Sequence, residues 1–246
     1  MIKQNIPSVA ALIMTTDPKK ITALQMLWSL GFPFVIPAVM LFIAGDWLWI
    51  QGWIWGVWFI VLCWSATIYL YVKDQDLLRE RLKPMNNAGQ KKDATYLVYM
   101  FGLLYAAWSI LIPLDAKRYM WTAGFPASLE VLGALLLAGA LFFIFRTFSD
   151  NTFASGLIRV QSERKQKVIS TGVYGFVRHP MYLGATLLFI GTPLLLGSFW
   201  GLATSPVLVF LLALRTLGEE KMLVNELDGY VEYKLKVRYR FVPFVW

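Results

Sequence analysis

One cysteine and one histidine stand in the 246 residues of this chain. Cys63 has no second thiol to pair with, so no internal disulfide forms. A metal centre built from His and Cys is disfavoured by the same scarcity. No carboxylate cluster within the apolar runs suggests a magnesium site, so no metal is expected. Charge is sparse: 15% of residues are Asp, Glu, Lys or Arg, where a soluble domain carries about a quarter. The chain has no G-x-G-x-x-G, and hence no Rossmann fingerprint. The apolar stretch PSVAALIM near the start is too short for a signal peptide and lacks a cleavage context. No internal repeat or low-complexity tract is present.

What the sequence does have is apolar length. Apolar residues make up 58% of it, and the mean hydropathy is +0.57. An all-α, polytopic membrane helix bundle follows. Runs at 24–44, 53–72, 95–114 and 127–148 each approach the ~20 residues that a bilayer core requires. A further apolar stretch, 181–217, is broken by GTP at 191–193 and by GS at 197–198, and reads as a hairpin of two helices, 181–196 and 199–217. That makes about six hydrophobic helices. Pro33 and Pro37 predict a kink in the first. The polar loop at 73–94 should hold a short amphipathic helix over 77–82. Apolar and β-branched residues at 157–160 and 168–169 favour short strands. The tail from 218 is charged and aromatic, helical in spacing through Lys236, and its end, FVPFVW, suits the bilayer surface. The expected organisation is a four-span region, 1–148, and a C-terminal region, 149–246, joined in one structural unit.

Lys and Arg give the orientation. The turn at 45–52 has none and that at 115–126 has two, whereas the N-terminus, 73–94, 149–180 and the tail carry three, six, five and five. Alternate loops are basic, which places both termini on the cytoplasmic side. The same bias accounts for the net charge of +8 without a nucleic-acid partner.

The polar stretch at 172–184, GVYGFVRHPMYLG, lies on that side and contains the lone His179. Pro180 disfavours helix at the residue before it and suits the first turn of the helix after it. Arg178 and His179 are thus expected at a helix mouth whose free N–H groups attract anions. Arg215 and Glu219, four apart, share one helix face. Taken singly, these residues have plainer readings. Arg215 and Glu219 would be snorkelling helix ends, His179 and the tyrosines packing groups, the 161–169 run a solvated basic face, and Asn151 a helix-end cap.

Together, GVYGFVRHPMYLG, a hydrophobic hairpin, RTLGEE and YVEYKLKVRYRFVPF resemble the C-terminal half of the isoprenylcysteine carboxyl methyltransferase family. That family belongs to a wider set of membrane methyltransferases that includes phospholipid N-methyltransferases. The resemblance covers about 151–246. It implies an S-adenosylmethionine-dependent enzyme with a cytoplasmic cofactor pocket. By that resemblance Gln161, Gln166, Lys167, Val168, Ile169, Tyr174, His179, Pro180, Met181, Tyr182 and Glu219 line the pocket. Arg215 faces the methyl acceptor, and Arg215, Glu219 and His179 are the catalytic candidates. Between Gln161 and Gly172 the chain is shorter than the eukaryotic enzymes, and Lys167 stands near a position where they carry a small polar residue. The implied acceptor is lipophilic or small, a prenylcysteine-like carboxylate first, with a phospholipid amine or a thiol as alternatives. Membrane lipids are the other partners. Two further classes fit parts of the pattern: a nicotinamide-dependent membrane reductase of the sterol type, which shares R-H-P-x-Y, and a non-catalytic membrane protein on the same scaffold.

Overall fold

The computed structural model describes residues 21–82, 92–156 and 159–246. Among them regular structure is entirely helical. Helix α1 is Ala23–Ala44, α2 Ile50–Lys73, α3 Gln75–Leu82, α4 Lys92–Pro113, α5 Ala127–Asp150, α6 Pro180–Leu196, α7 Phe199–Glu226 and α8 Tyr230–Lys236. Five helices have the length and apolarity to cross a bilayer: α1, α2, α4 with the π-helical turn Leu114–Arg118 that follows it, α5 and α7. Large apolar side chains such as Leu27, Phe42, Leu103, Leu135 and Phe210 remain exposed along them. Five such helices with apolar side chains turned outward suit a hydrocarbon surround, and the protein is an integral, multi-pass membrane protein.

The helix ends have local causes. Thr22 caps α1 by accepting from the Gln25 N–H at 3.2 Å, while the Gln25 side chain accepts from the Thr22 N–H at 3.0 Å; this reciprocal pair is a capping box. At the far end Gly45 takes φ +70° and closes the helix, a conformation that costs glycine little. Pro33 and Pro37 are both buried inside α1, and the helix runs through them.

Helix α6 is the centre of the bundle. Its 17 residues span about 26 Å at 1.5 Å per residue, short of the roughly 30 Å hydrocarbon core. Residues 191–196 are buried without interruption. It lies against α5 through small residues. A β-carbon on Gly133 would meet the Leu195 backbone N at 2.3 Å, and one on Gly184 would meet Ile144 Cγ1 at 2.6 Å and the Ala140 carbonyl oxygen at 3.2 Å. Gly133 with Ala140, and Gly184 with Gly191, are each seven apart, so one stripe of each helix permits this close approach. Trp55 of α2 adds a buried hydrogen bond, Nε1 to Thr192 Oγ1 at 3.0 Å.

At the end remote from the RHP stretch, a fully buried Asp115 ties the α6–α7 hairpin to the π-helical turn. Its carboxylate accepts from Ser198 Oγ at 2.6 Å, from the Thr122 hydroxyl and N–H at 2.8 and 2.9 Å, and from the Trp200 N–H at 3.2 Å. Ser198 in turn caps α7 by accepting from the Gly201 N–H at 2.8 Å. This end sets where the hairpin turns, and therefore where the other ends of α6 and α7 emerge.

Two expectations need correction. No strand forms at Val160 or at 168–169; Val160 and Val168 instead pack on the apolar cluster of Met222, Leu223, Tyr230 and Tyr233. Residues 157 and 158 lie outside the described residues. The last hydrophobic helix does not stop at 217 but continues to Glu226. Glu, Lys, Met and Leu sustain helix as well as any residues do, and no Pro interrupts 218–226.

Candidate active site

The beginning of α6, the end of α7, α8 and the loop after α5 enclose one cavity. Its enclosed part measures about 110 Å³, and the cleft continues to the surface. Ten of the eleven residues expected to line a cofactor pocket do line it: Gln166, Lys167, Val168, Ile169, Tyr174, His179, Pro180, Met181, Tyr182 and Glu219. Gln161 stands behind the wall. It is buried, gives its amide N–H to the Phe153 carbonyl at 3.0 Å, and accepts from Arg164 at 2.7 Å. Arg215 is not in the lining but is attached to it.

That attachment is the main geometric feature of the site. Arg215 Nε donates to Tyr182 Oη at 2.9 Å, and Tyr182 Oη donates to Glu219 Oε2 at 2.7 Å. The hydroxyl spends its one proton on the carboxylate and its lone pair on the guanidinium. Arg215 and Glu219 are thus joined through Tyr182 as well as by their spacing on α7. The other side of the guanidinium donates to the Gly156 carbonyl at 2.5 Å. The Tyr182 ring lies parallel to His179, with centroids 5.4 Å apart and planes 5° apart.

The adjacent carboxylate has a different use. Glu220 is turned away from Glu219 and buried. It receives Arg178 Nε at 2.6 Å, Arg240 Nε at 3.0 Å and His179 Nε2 at 3.3 Å. Arg178 also donates to the Val237 and Arg238 carbonyls, both at 2.8 Å. The backbone completes the strap, with the Arg178 N–H on the Tyr239 carbonyl at 3.0 Å and the His179 N–H on the Arg240 carbonyl at 2.8 Å. Arg240 lies over the Trp246 ring, 4.4 Å from its centroid. The C-terminal segment therefore clamps the RHP turn, and Arg178 serves that clamp instead of offering charge at the helix mouth. Pro180 takes the first helical turn as its ring predicts, with His179 before it at φ −126°.

The resemblance already implied that the tail helps to build the pocket, and helix α8 is that part of the tail; the residue sequence reasoning missed is Tyr230. Tyr233 Oη donates to the Tyr174 carbonyl at 2.7 Å. Tyr230 lines the cavity, and its hydroxyl is buried with no hydrogen-bond partner among the described residues. A buried hydroxyl without a partner costs free energy that a bound ligand can restore. Burial raises the ionisation of Tyr174, Tyr230 and Tyr233 above the ordinary phenol range, so all three are neutral donors at physiological pH. The spacing of the aromatics in YVEY was the available signal; their shared face became readable only once α8 was known to fold back over α7. Among the described residues no group of three or more His, Cys, Asp or Glu could hold a metal ion.

A bilayer-spanning bundle that presents a carboxylate, a lysine (Lys167), two arginines paired with protein carboxylates (Arg159 and Arg178) and several aromatics in one end cleft, with a further arginine linked to that carboxylate, has the build of an integral membrane group-transfer enzyme. Residues 129–227 match the phospholipid methyltransferase family. The chain is 28% identical over 145 residues to protein-S-isoprenylcysteine O-methyltransferase B of Arabidopsis thaliana, covering 58% of this chain and 70% of that one. It is 34% identical over 125 residues to protein-S-isoprenylcysteine O-methyltransferase of Saccharomyces cerevisiae, covering 47% and 49%. A solved structure of the eukaryotic intramembrane Ras methyltransferase, an isoprenylcysteine carboxyl methyltransferase, aligns with 88% of this chain and 74% of its own at 20% identity and a TM-score of 0.46. The match at 129–227 spans both the RHP turn and the R-x-x-x-E-E pair. The protein is a methyltransferase, similar over 129–227 to the phospholipid methyltransferases and over 145 residues to a protein-S-isoprenylcysteine O-methyltransferase.

Proposed function

We propose that the enzyme moves a methyl group from S-adenosylmethionine to the carboxylate of a lipophilic acceptor of the prenylcysteine type. The observation that carries this reading is the Arg215–Tyr182–Glu219 chain, which links a fixed cation beside the cavity to a carboxylate within it. The cavity chemistry suits the donor. Glu219 complements a cationic sulfonium or ammonium, Lys167 complements a carboxylate, and the orphaned Tyr230 hydroxyl offers a hydrogen bond. The cofactor-binding assignment covers Gln166, Lys167, Val168, Ile169, Tyr174, His179, Pro180, Met181, Tyr182 and Glu219, with Gln161 supporting the wall. Region 149–246 then forms the site and region 1–148 its membrane support. The basic loops favour a cytoplasmic site with both termini on that side.

When bound, S-adenosylmethionine supplies an electrophilic methyl group. The protein's own residues hold and orient. A carboxylate acceptor is already ionised at neutral pH, so it attacks without a general base, and Arg215 would hold it by a charge-assisted hydrogen bond. To do so it must give up the Gly156 carbonyl. Tyr182 keeps the guanidinium pointed toward the cleft, and stacking on His179 fixes the Tyr182 ring. The apolar side chains Met181, Met222 and Leu223 restrict water around the reacting atoms. An amine or thiol acceptor would instead need a base, for which His179 and Glu219 are the candidates.

The test is methyl transfer by detergent-purified protein to a farnesyl-cysteine analogue, its methyl ester, a phosphatidylethanolamine and a small thiol. The reading expects turnover of the free carboxylate alone, and its loss in Arg215→Ala. Turnover of the amine or the thiol with Arg215→Ala unimpaired overturns it.

A further inference from the structure

A second cavity, about 400 Å³, opens among α1, α2, α3 and α5. Its walls are mostly apolar, with Trp28, Phe32, Leu62, Cys63, Leu70 and Phe148 prominent, so it is not a site for bulk water. Arg81 stands at one end. Its Nη1 donates to the Ala154 carbonyl at 3.1 Å, and its guanidinium lies 4.4 Å above the centre of the Phe148 ring. The carboxylates nearest to it in the chain are already engaged: Asp74 with Arg164 at 3.6 Å, Asp76 with Arg79, and Glu80 with Arg159 at 2.6 Å. Among the described residues Arg81 has no carboxylate partner. An apolar slot between membrane helices that ends in an unpaired arginine recognises one kind of molecule, a hydrocarbon chain with an anionic head.

We propose that this cavity binds one acyl chain of an anionic phospholipid, with the lipid phosphate on Arg81. The first twenty residues are a poor alternative occupant. They carry Lys3, Lys19 and Lys20 against a single acid, Asp17, and so cannot complement an arginine. A free phosphate would leave the apolar length unfilled. The site is separate from the catalytic cavity but touches its wall, because Ala154 lines that cavity and accepts from Arg81.

The test uses the whole chain in nanodiscs of phosphatidylcholine with increasing phosphatidylglycerol. Retained lipid is read by native mass spectrometry, and its position by a phosphatidylglycerol carrying a photoreactive group in mid-chain. One phosphatidylglycerol should be retained in preference to phosphatidylcholine by at least about fivefold, the selectivity that one membrane-surface arginine supplies. The photoproduct should map to α2 around Cys63. Arg81→Lys should keep the lipid. Arg81→Gln should lose the preference, and Ala66→Trp, which fills the slot and leaves Arg81 in place, should lose the cross-link. Equal retention of both lipids by the unaltered protein, or an undiminished preference in Arg81→Gln, overturns the proposal. So does a cross-link elsewhere, or competition for the α2 position by a farnesyl-cysteine analogue, which would make the cavity part of the acceptor site.

Discussion

Replacing Tyr182 by Phe removes one oxygen atom and tests the link between the two charged residues of the site. The ring stays, and with it the parallel contact to His179 at 5.4 Å. What goes is a hydroxyl that accepts from Arg215 at 2.9 Å and donates to Glu219 at 2.7 Å. Hydrogen bonds to charged groups contribute about 1.5–3 kcal/mol each. Arg215 keeps its bond to Gly156, and Glu219 can turn to the open cleft, so the two losses do not add in full. A net loss of about 2–3 kcal/mol in transition-state stabilisation corresponds to a fall in kcat/KM of roughly 30- to 150-fold at 1.36 kcal/mol per decade. The fall should appear partly as a higher KM for the acceptor, because an untethered Arg215 presents its charge less often. The assay is transfer of a radiolabelled methyl group to a farnesyl-cysteine analogue across acceptor concentrations, with thermal unfolding recorded in parallel. A kcat/KM within about threefold of the unaltered protein would refute the reasoning, since the hydroxyl would then be packing and not a connector.

Other expectations follow from the same geometry. Glu220→Gln removes the charge that holds Arg178, Arg240 and His179 together, and breaking a buried ionic cluster at one member costs about 3–5 kcal/mol; a lower unfolding temperature and freer proteolysis of the C-terminal segment would show it. Gly133→Val should prevent the α5–α6 approach, because a β-carbon there meets the Leu195 backbone at 2.3 Å. Gly218→Ala, whose β-carbon would meet nothing within 4 Å, should stabilise α7 by about 0.5–1 kcal/mol. Thermal stability of the two variants in detergent separates these outcomes. Burial holds the ionisation of Tyr174, Tyr230 and Tyr233 above the usual phenol value. The unfolded chain ionises them near about 10, so their contribution is fully present below that pH and is lost as pH rises above it. Absorbance titration near about 295 nm should show a late-titrating group of tyrosines that moves to the ordinary phenol value on unfolding.

Hydropathy made most of the spans legible, because a lipid-facing helix must be apolar over the full thickness it crosses. The hairpin break at Gly197 and Ser198 was legible for a similar reason: one takes φ +78° and the other caps α7. The far end of α7 was not, since its charged residues look like a loop by hydropathy while favouring helix by propensity. The site stretch announced itself through Pro180 and the lone His179. Arg178 did not announce its role, because its partners lie 42 residues away at Glu220 and 59 and 60 away in the C-terminal strap, and no local pattern encodes such pairings. Gln161 was singled out by resemblance, and its place behind the wall follows from two hydrogen bonds that a sequence does not display. Tyr230 was missed because what marks it is an unmet hydrogen bond, a property of packing alone.

The most direct test is calorimetric titration of the detergent-purified chain with S-adenosylmethionine, S-adenosylhomocysteine and NADPH, repeated with Glu219→Ala. The account predicts binding of both adenosyl compounds, weakened at least about tenfold by the substitution, as loss of one charge-assisted contact implies, and no binding of NADPH. Binding of NADPH alone, or adenosyl binding indifferent to Glu219, would contradict it.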